Sequence, residues 1–250
     1  MRQRILITGA SSGLGAEMAR QFGAKGRDLA LCARRLDRLD ALRDEITTSN
    51  PNITVSVRAL DVDDHDAVFK VFHEFNDEFG GLDRVIVNAG LGKGAPIGTG
   101  RFDANRETAV TNFVSALAQC EAAMEIFRAQ GQGHLVVVSS LSAVRGLPRV
   151  LTTYSASKAG LAQLAEGIRI DVGNTKIKVT TIFPGYIHSE MNDKATQRKV
   201  MMVPTDIGVR ALVAAVEREK AEAIVPPWPW TAMGFVLKHA PASFIRKYIM

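Results

Sequence analysis

The 250-residue chain is short of several things, and each shortage removes a class of function. It has two cysteines, Cys32 and Cys120, both in apolar runs ("LALCA", "LAQCEA"). They read as packed thiols, which excludes a disulfide scaffold and fits a reducing cytoplasm. The opening "MRQRILITGA" is too short for the apolar core of a secretory signal and lacks a small-residue cleavage site. No apolar stretch is long enough to span a bilayer. The net charge of +5 is dispersed, with no long basic run or nucleic-acid motif. His65, His73, His134, His188 and His239 show no metal-ligand spacing, so no metal is expected. There is no internal repeat, and no Pro/Gly/Ser linker precedes residue 190.

What is present is a regular alternation. Strand-like runs occur at 4–9, 28–34, 53–60, 83–90, 134–140, 177–185 and 221–227. Several are nearly continuous in Val, Ile and Leu, as expected of strands covered on both faces. Between them lie helical spacings such as Leu14–Met18–Phe22 and Val110–Phe113–Val114–Leu117. Strand and helix in repeated alternation predict an α/β domain, doubly wound, with a seven-stranded parallel sheet. One domain is expected over 1–250: a core over 1–190, a substrate lid and last strand–helix unit over 191–225, and an aromatic, basic tail over 226–250.

Two short segments carry the chemistry. "TGASSGLG" (8–15) follows the first strand and opens a helix. Glycines there allow a tight turn and close approach of a diphosphate to the helix N-terminus. "YSASK" puts Tyr154 and Lys158 four apart, on one helical face. A free phenol has a pKa near 10 and is a weak acid or base at neutral pH. An adjacent ammonium favours the phenolate and lowers that value, which suits proton transfer to a carbonyl oxygen. The second strand ends with Ala33, Arg34 and Arg35, where an acidic residue would hold the ribose hydroxyl of NAD. Guanidinium groups there favour the 2′-phosphate of NADP(H) instead.

The spacing Gly9-x-x-x-Gly13-x-Gly15, with "VNAG" (87–90) and "YSASK" downstream, resembles the short-chain dehydrogenase/reductase family in its classical branch, over roughly residues 4–190. The resemblance implies a Rossmann-type fold and a nicotinamide cofactor. It implies diphosphate contacts at Gly9, Ser11, Ser12, Gly13, Leu14 and Gly15, and adenosine contacts at Arg34, Arg35, Asp61 and Val62. Asn88, Ala89 and Gly90 would line the cofactor wall, with Tyr154 and Lys158 also touching the cofactor. Pro184, Gly185, Ile187 and Ser189 match the family's PG segment, with Ser189 in place of the usual threonine.

The catalytic set implied is Asn112, Ser140, Tyr154 and Lys158, with Ser139 and Ser142 as alternatives to Ser140. Asn112 either satisfies a helix kink or holds a proton-relay water through the lysine, the second being the family role. The expected reaction is hydride transfer between NADP(H) and a ketone or aldehyde, the reverse oxidising an alcohol. A non-catalytic NADPH sensor is the alternative, disfavoured because both Tyr154 and Lys158 are kept. The methionines within 191–204 suit a bulky apolar substrate, steroid-like or fatty. The tail, with Trp228, Trp230, Phe235, Phe244 and Tyr248 among Lys238, Arg246 and Lys247, would cover the pocket or a neighbouring subunit of a homodimer or homotetramer. Peripheral membrane contact through it is the less favoured reading.

Overall fold

The computed structural model describes residues 2–188, 190 and 202–248. Seven strands form one parallel sheet: β1 (Arg4–Thr8), β2 (Asp28–Ala33), β3 (Val55–Ala59), β4 (Arg84–Val87), β5 (Gln132–Val138), β6 (Lys176–Pro184) and β7 (Glu222–Val225). Their order is β3-β2-β1-β4-β5-β6-β7. The chain therefore reverses its direction of sheet growth between β1 and β4, which pair with Ile7 opposite Ile86. Open α/β sheets bind ligands outside the carboxyl ends of the strands at such a switch point.

The central strands are apolar throughout because both faces are covered. On one face α1 (Gly13–Ala24), α2 (Leu36–Ser49) and α7 (Thr205–Glu217) bury Phe22, Leu39 and Leu212 against Ile5, Ile7 and Val136. On the other, α3 (His65–Phe79), α5 (Ser115–Gln130) and α6 (Leu151–Asp171) bury Phe72, Phe127 and Leu161 against Leu6, Val85 and Val137. The α3 boundaries follow local chemistry. Asp64 accepts a bond from the Ala67 amide at 3.1 Å at its start, and Gly80 closes it with φ +63°.

Three features differ from the sequence reading. The long central helix is divided: α4 (Phe102–Ala109) and α5 are joined by a π-helical turn over Val110–Val114. The last strand ends at Val225, because Pro226 and Pro227 cannot donate to a ladder and Pro227 starts a helix. The tail is helical, as α8 (Pro227–His239) and α9 (Ala242–Tyr248). Trp230, Leu237 and Ile245 bury themselves against Leu141 and Leu147 of the loop after β5, forming a third small core. The tail's inner face is thus a wall beside that loop. Among the described residues no helix is long and apolar enough to cross a membrane.

Candidate active site

The turn between β1 and α1 is built to bring backbone close to backbone. Gly9 has φ +65° and Gly13 φ +55°, conformations that strain any residue with a β-carbon. A β-carbon on Gly15 would run into the carbonyl oxygen of Gly9. The Thr8 hydroxyl accepts from the Asn88 and Ala89 amides at 3.0 and 3.1 Å, and the Asn88 side-chain amide donates to the Thr8 carbonyl at 2.9 Å. Asn88 thereby locks the ends of β1 and β4 together. Among the described residues no side chain caps the start of α1, in contrast to Asp64 on α3. The first-turn amides of α1 are left for an anion, so a dinucleotide diphosphate fits this turn.

The adenosine end is less symmetrical than the sequence suggested. Arg34 is exposed and has no partner among the described residues. Arg35 turns inward and donates to the hydroxyls of Ser11 at 3.2 Å and Ser12 at 2.7 Å. The Asp61 carboxylate accepts from the Asp63 amide at 3.2 Å, an Asx turn, while Val62 is buried in the core. Asp63 in turn accepts from the hydroxyls of Thr111 at 2.8 Å and Ser115 at 2.7 Å.

At the reacting end, α6 and the loop after β5 meet. Ser139 is buried and donates to the Lys158 carbonyl at 2.7 Å, so its hydroxyl is committed to the fold. Ser140 lies half-buried, shares a bond of 2.7 Å with Ser142 and is near enough to the Tyr154 phenol to oppose the rise in its pKa. Of the three serines, Ser140 is the one brought to the tyrosine, with Ser142 as its neighbour. Lys158 is 4 % exposed and donates from Nζ to the Val138 carbonyl at 2.9 Å. Gly90 packs between this ammonium and the Asn112 side chain, where a β-carbon would be a tight fit, 3.0 Å from Asn112 Oδ1 and 3.3 Å from Lys158 Nζ.

Asn112 lies in the π-turn and is fully buried. Its side chain accepts from the Leu91 amide at 2.8 Å and donates to the Leu91 carbonyl at 2.9 Å. The amide therefore holds the loop after β4. Electrostatics also differ from the simple Tyr–Lys expectation. Burial raises the Tyr154 phenol above its usual pKa, opposed by the Ser140 hydrogen bond and reinforced by Tyr186. Burial alone holds the Lys158 ammonium down, at about 8. The lysine's charge is directed at Val138, and dehydration governs both groups.

Pro184 ends β6, and the Gly185 amide donates to the Val225 carbonyl at 2.9 Å. The Ile187 side chain packs on Gly208 of α7, and Ser189 lies outside the described residues, as does 191–201 of the expected lid. Two aromatics enter the site that the motifs did not single out. Trp230 lies flat against Gly185, and Tyr186 meets its ring edge-on at 5.5 Å. The only sequence signal for Tyr186 was its place directly after the Pro-Gly pair. Trp230 sits in the tail, far from any motif. Cys32 and Cys120 are buried free thiols, raised by burial to about 12 and inert as nucleophiles.

Comparison with known proteins agrees with this geometry. Residues 3–200 match the family model for short chain dehydrogenases. An uncharacterized oxidoreductase of Mycobacterium tuberculosis is 52% identical over 247 residues, covering 99% of this chain and 97% of that protein. The 11-beta-hydroxysteroid dehydrogenase 1A of Arabidopsis thaliana is 37% identical over 191 residues, covering 75% of this chain and 53% of that one. Among solved structures, an alcohol dehydrogenase from the archaeon Thermococcus sibiricus, complexed with 5-hydroxy-NADP, superimposes with a TM-score of 0.79 at 22% identity, covering 89% of this chain and 95% of that one. The chain belongs to the short-chain dehydrogenase/reductase family, oxidoreductases that bind a nicotinamide dinucleotide.

Proposed function

We propose that this short-chain dehydrogenase/reductase interconverts a ketone or aldehyde and the corresponding alcohol with NADP(H), through Tyr154, Ser140, Lys158 and Asn112. The observation that carries the reading is the placement of the Ser140 hydroxyl where it acts on the Tyr154 phenol, one helical turn from a buried ammonium. Two hydroxyls converging at the carboxyl end of β5 make a site for one oxygen atom. Bound along the glycine turn, the nicotinamide cofactor supplies or accepts the hydride.

The chain's residues handle the proton and the geometry. Ser140 donates to the carbonyl oxygen and fixes its direction. Tyr154 donates the proton that oxygen needs as the carbonyl becomes an alcohol, and takes one back in the reverse reaction. The raised pKa of Tyr154 keeps the phenol protonated, the form required for reduction. Lys158, at about 8, exchanges protons near physiological pH and is suited to resupply the phenol. Asn112 keeps the loop after β4, and with it Gly90, against the lysine.

NADP(H) is favoured over NAD(H) because Ala33 brings no carboxylate and Arg34 offers an uncommitted guanidinium. Tyr186, half-exposed and backed edge-on by the buried Trp230, gives an aromatic surface beside the Pro-Gly segment, which supports a bulky apolar substrate, steroid-like or fatty. The steroid relation of the Arabidopsis relative points the same way. Two buried free thiols support a cytoplasmic protein, which we take to act as a homodimer or homotetramer.

The test is a screen of ring, aryl and long-chain ketones and alcohols, read by nicotinamide absorbance with NADPH and NADH. Turnover of a bulky ketone with NADPH, lost in Tyr154→Phe, is the expected result. Equal turnover by the Tyr154→Phe protein would remove the phenol from the mechanism.

A further inference from the structure

The adenosine end holds a carboxylate that no cofactor motif explains. Glu190, directly beyond the PG segment, accepts from Arg38 at 2.6 Å and from Arg35 at 3.3 Å. Arg38 lies in the first turn of α2, one residue beyond Asp37. Arg35 is the same guanidinium that grips Ser11 and Ser12 of the glycine turn. One anionic group is thus clasped by two arginines, and the second arginine rests on the turn expected to hold the cofactor. All three side chains are about half exposed, at 41, 44 and 56% for Arg35, Arg38 and Glu190. They are within reach of a dissolved anion. Both guanidinium groups hold the Glu190 carboxyl below its usual carboxylate range, so it is charged at neutral pH.

Planar guanidinium groups bind carboxylate and phosphate oxygens by the same charge-assisted bonds. A phosphate monoester carries more charge and more acceptor oxygens than a carboxylate. It is therefore the stronger ligand for the same pair. We infer that Arg35 and Arg38 form a two-arginine clamp for the 2′-phosphate of the cofactor, and that Glu190 is a built-in competitor occupying this clamp until the phosphate displaces it. This rests on the NADP(H) reading above, and it adds Arg38 as a cofactor residue and Glu190 as a determinant of cofactor affinity. Cofactors without the 2′-phosphate would not compete with Glu190 for Arg38.

Calorimetric titration with the fragments 2′,5′-ADP and ADP tests this without turnover. Exposed ion pairs are weak, so removing the competitor is expected to change affinity modestly. Glu190→Gln is expected to bind 2′,5′-ADP about two- to fivefold tighter than wild type and ADP equally well. Arg38→Ala is expected to weaken 2′,5′-ADP alone, and Glu190→Gln in the Arg38→Ala background to give no further gain. Tightening of both fragments alike in Glu190→Gln would overturn the inference, because the carboxylate would then be acting on the diphosphate. Weakening of ADP would overturn it too, making Glu190 a ribose ligand. If wild type binds both fragments equally while Glu190→Gln tightens 2′,5′-ADP alone, the clamp stands and NADP(H) selectivity fails. A selective wild type whose Glu190→Gln protein is unchanged leaves the selectivity and removes the clamp's competitor.

Discussion

The two ends of the sheet treat buried polar groups in opposite ways. At the amino ends, Arg84 is fully buried and completely engaged. It donates to Glu217 at 2.7 Å, to His134 Nδ1 at 2.9 Å and to the Val216 carbonyl at 3.3 Å. The other His134 nitrogen meets Thr180 at 2.8 Å, so the ring carries its proton on Nε2. Burial and Arg84 press the His134 pKa well below the usual value, keeping it neutral. Arg27 adds a second bond to Glu217 at 3.0 Å, and Arg4 pairs with Asp83 at 3.0 Å. At the carboxyl ends, Lys158 is nearly as deeply buried, and among the described residues its Nζ donates to one carbonyl. Ser140 acts on the Tyr154 phenol, and the Trp230 indole N–H is buried with no partner among the described residues. One end uses up its charge within the fold; the other holds polar groups ready for a ligand.

Breaking the amino end is expected to have the largest effect, and on stability alone. Arg84→Met leaves Glu217 with less compensation and His134 without its donor, and should cost about 3–5 kcal/mol by urea unfolding. Turnover per folded molecule should stay within about twofold, since the network lies at the far end of the strands. Loss of activity in the folded fraction would mean the two ends are coupled. Tyr154→Phe is expected to do the reverse: kcat falls at least ~100-fold with unfolding unchanged within ~1 kcal/mol.

Lys158 joins both properties. Its pKa is about 8 in the folded protein against 10.5 as the reference. Between those values the unfolded chain holds a proton that the native chain has released. Native stability should therefore rise with pH across that window, by about 1.4 kcal/mol per pH unit at most. Thermal melts of wild type against Lys158→Met from pH 7.5 to 9.5 should show the wild type gaining on the variant; a constant difference would mean that the ammonium is not dehydrated. The smallest effect belongs to Arg34→Ala, expected to lower the NADPH/NADH ratio of kcat/KM about tenfold. An unchanged ratio would shift the cofactor preference elsewhere.

The sheet and the glycine turn were legible in the sequence, the amino-end network of Arg84, His134 and Glu217 was not, and the reasons differ by region. The sheet was readable because strands such as "LVVV" are apolar on both faces, and the glycine turn because its spacing has few other uses. The pairing of Ser140 rather than Ser139 with Tyr154 needed coordinates, since alternate strand residues point to opposite faces and the strand's last register position decides. The π-turn was hidden because "AVTNFVSAL" keeps ordinary helical spacing; its cause is tertiary, in the demands of Leu91 and Asp63. Burial reversed the simple expectation for Tyr154, because dehydration depends on neighbours far away in the chain. The tail's attachment through Trp230 to Gly185 joins residues separated by a whole strand–helix unit.

The π-turn has one more implication. Its consecutive residues Thr111 and Asn112 are tied in different directions, Thr111 to the loop after β3 and Asn112 to the loop after β4. A single widened coil acts as a yoke between the loop after β3 and the loop after β4. Grafting either loop from a relative would fail unless this coil travelled with it. The two loops and the coil between them are in that sense one inheritable part.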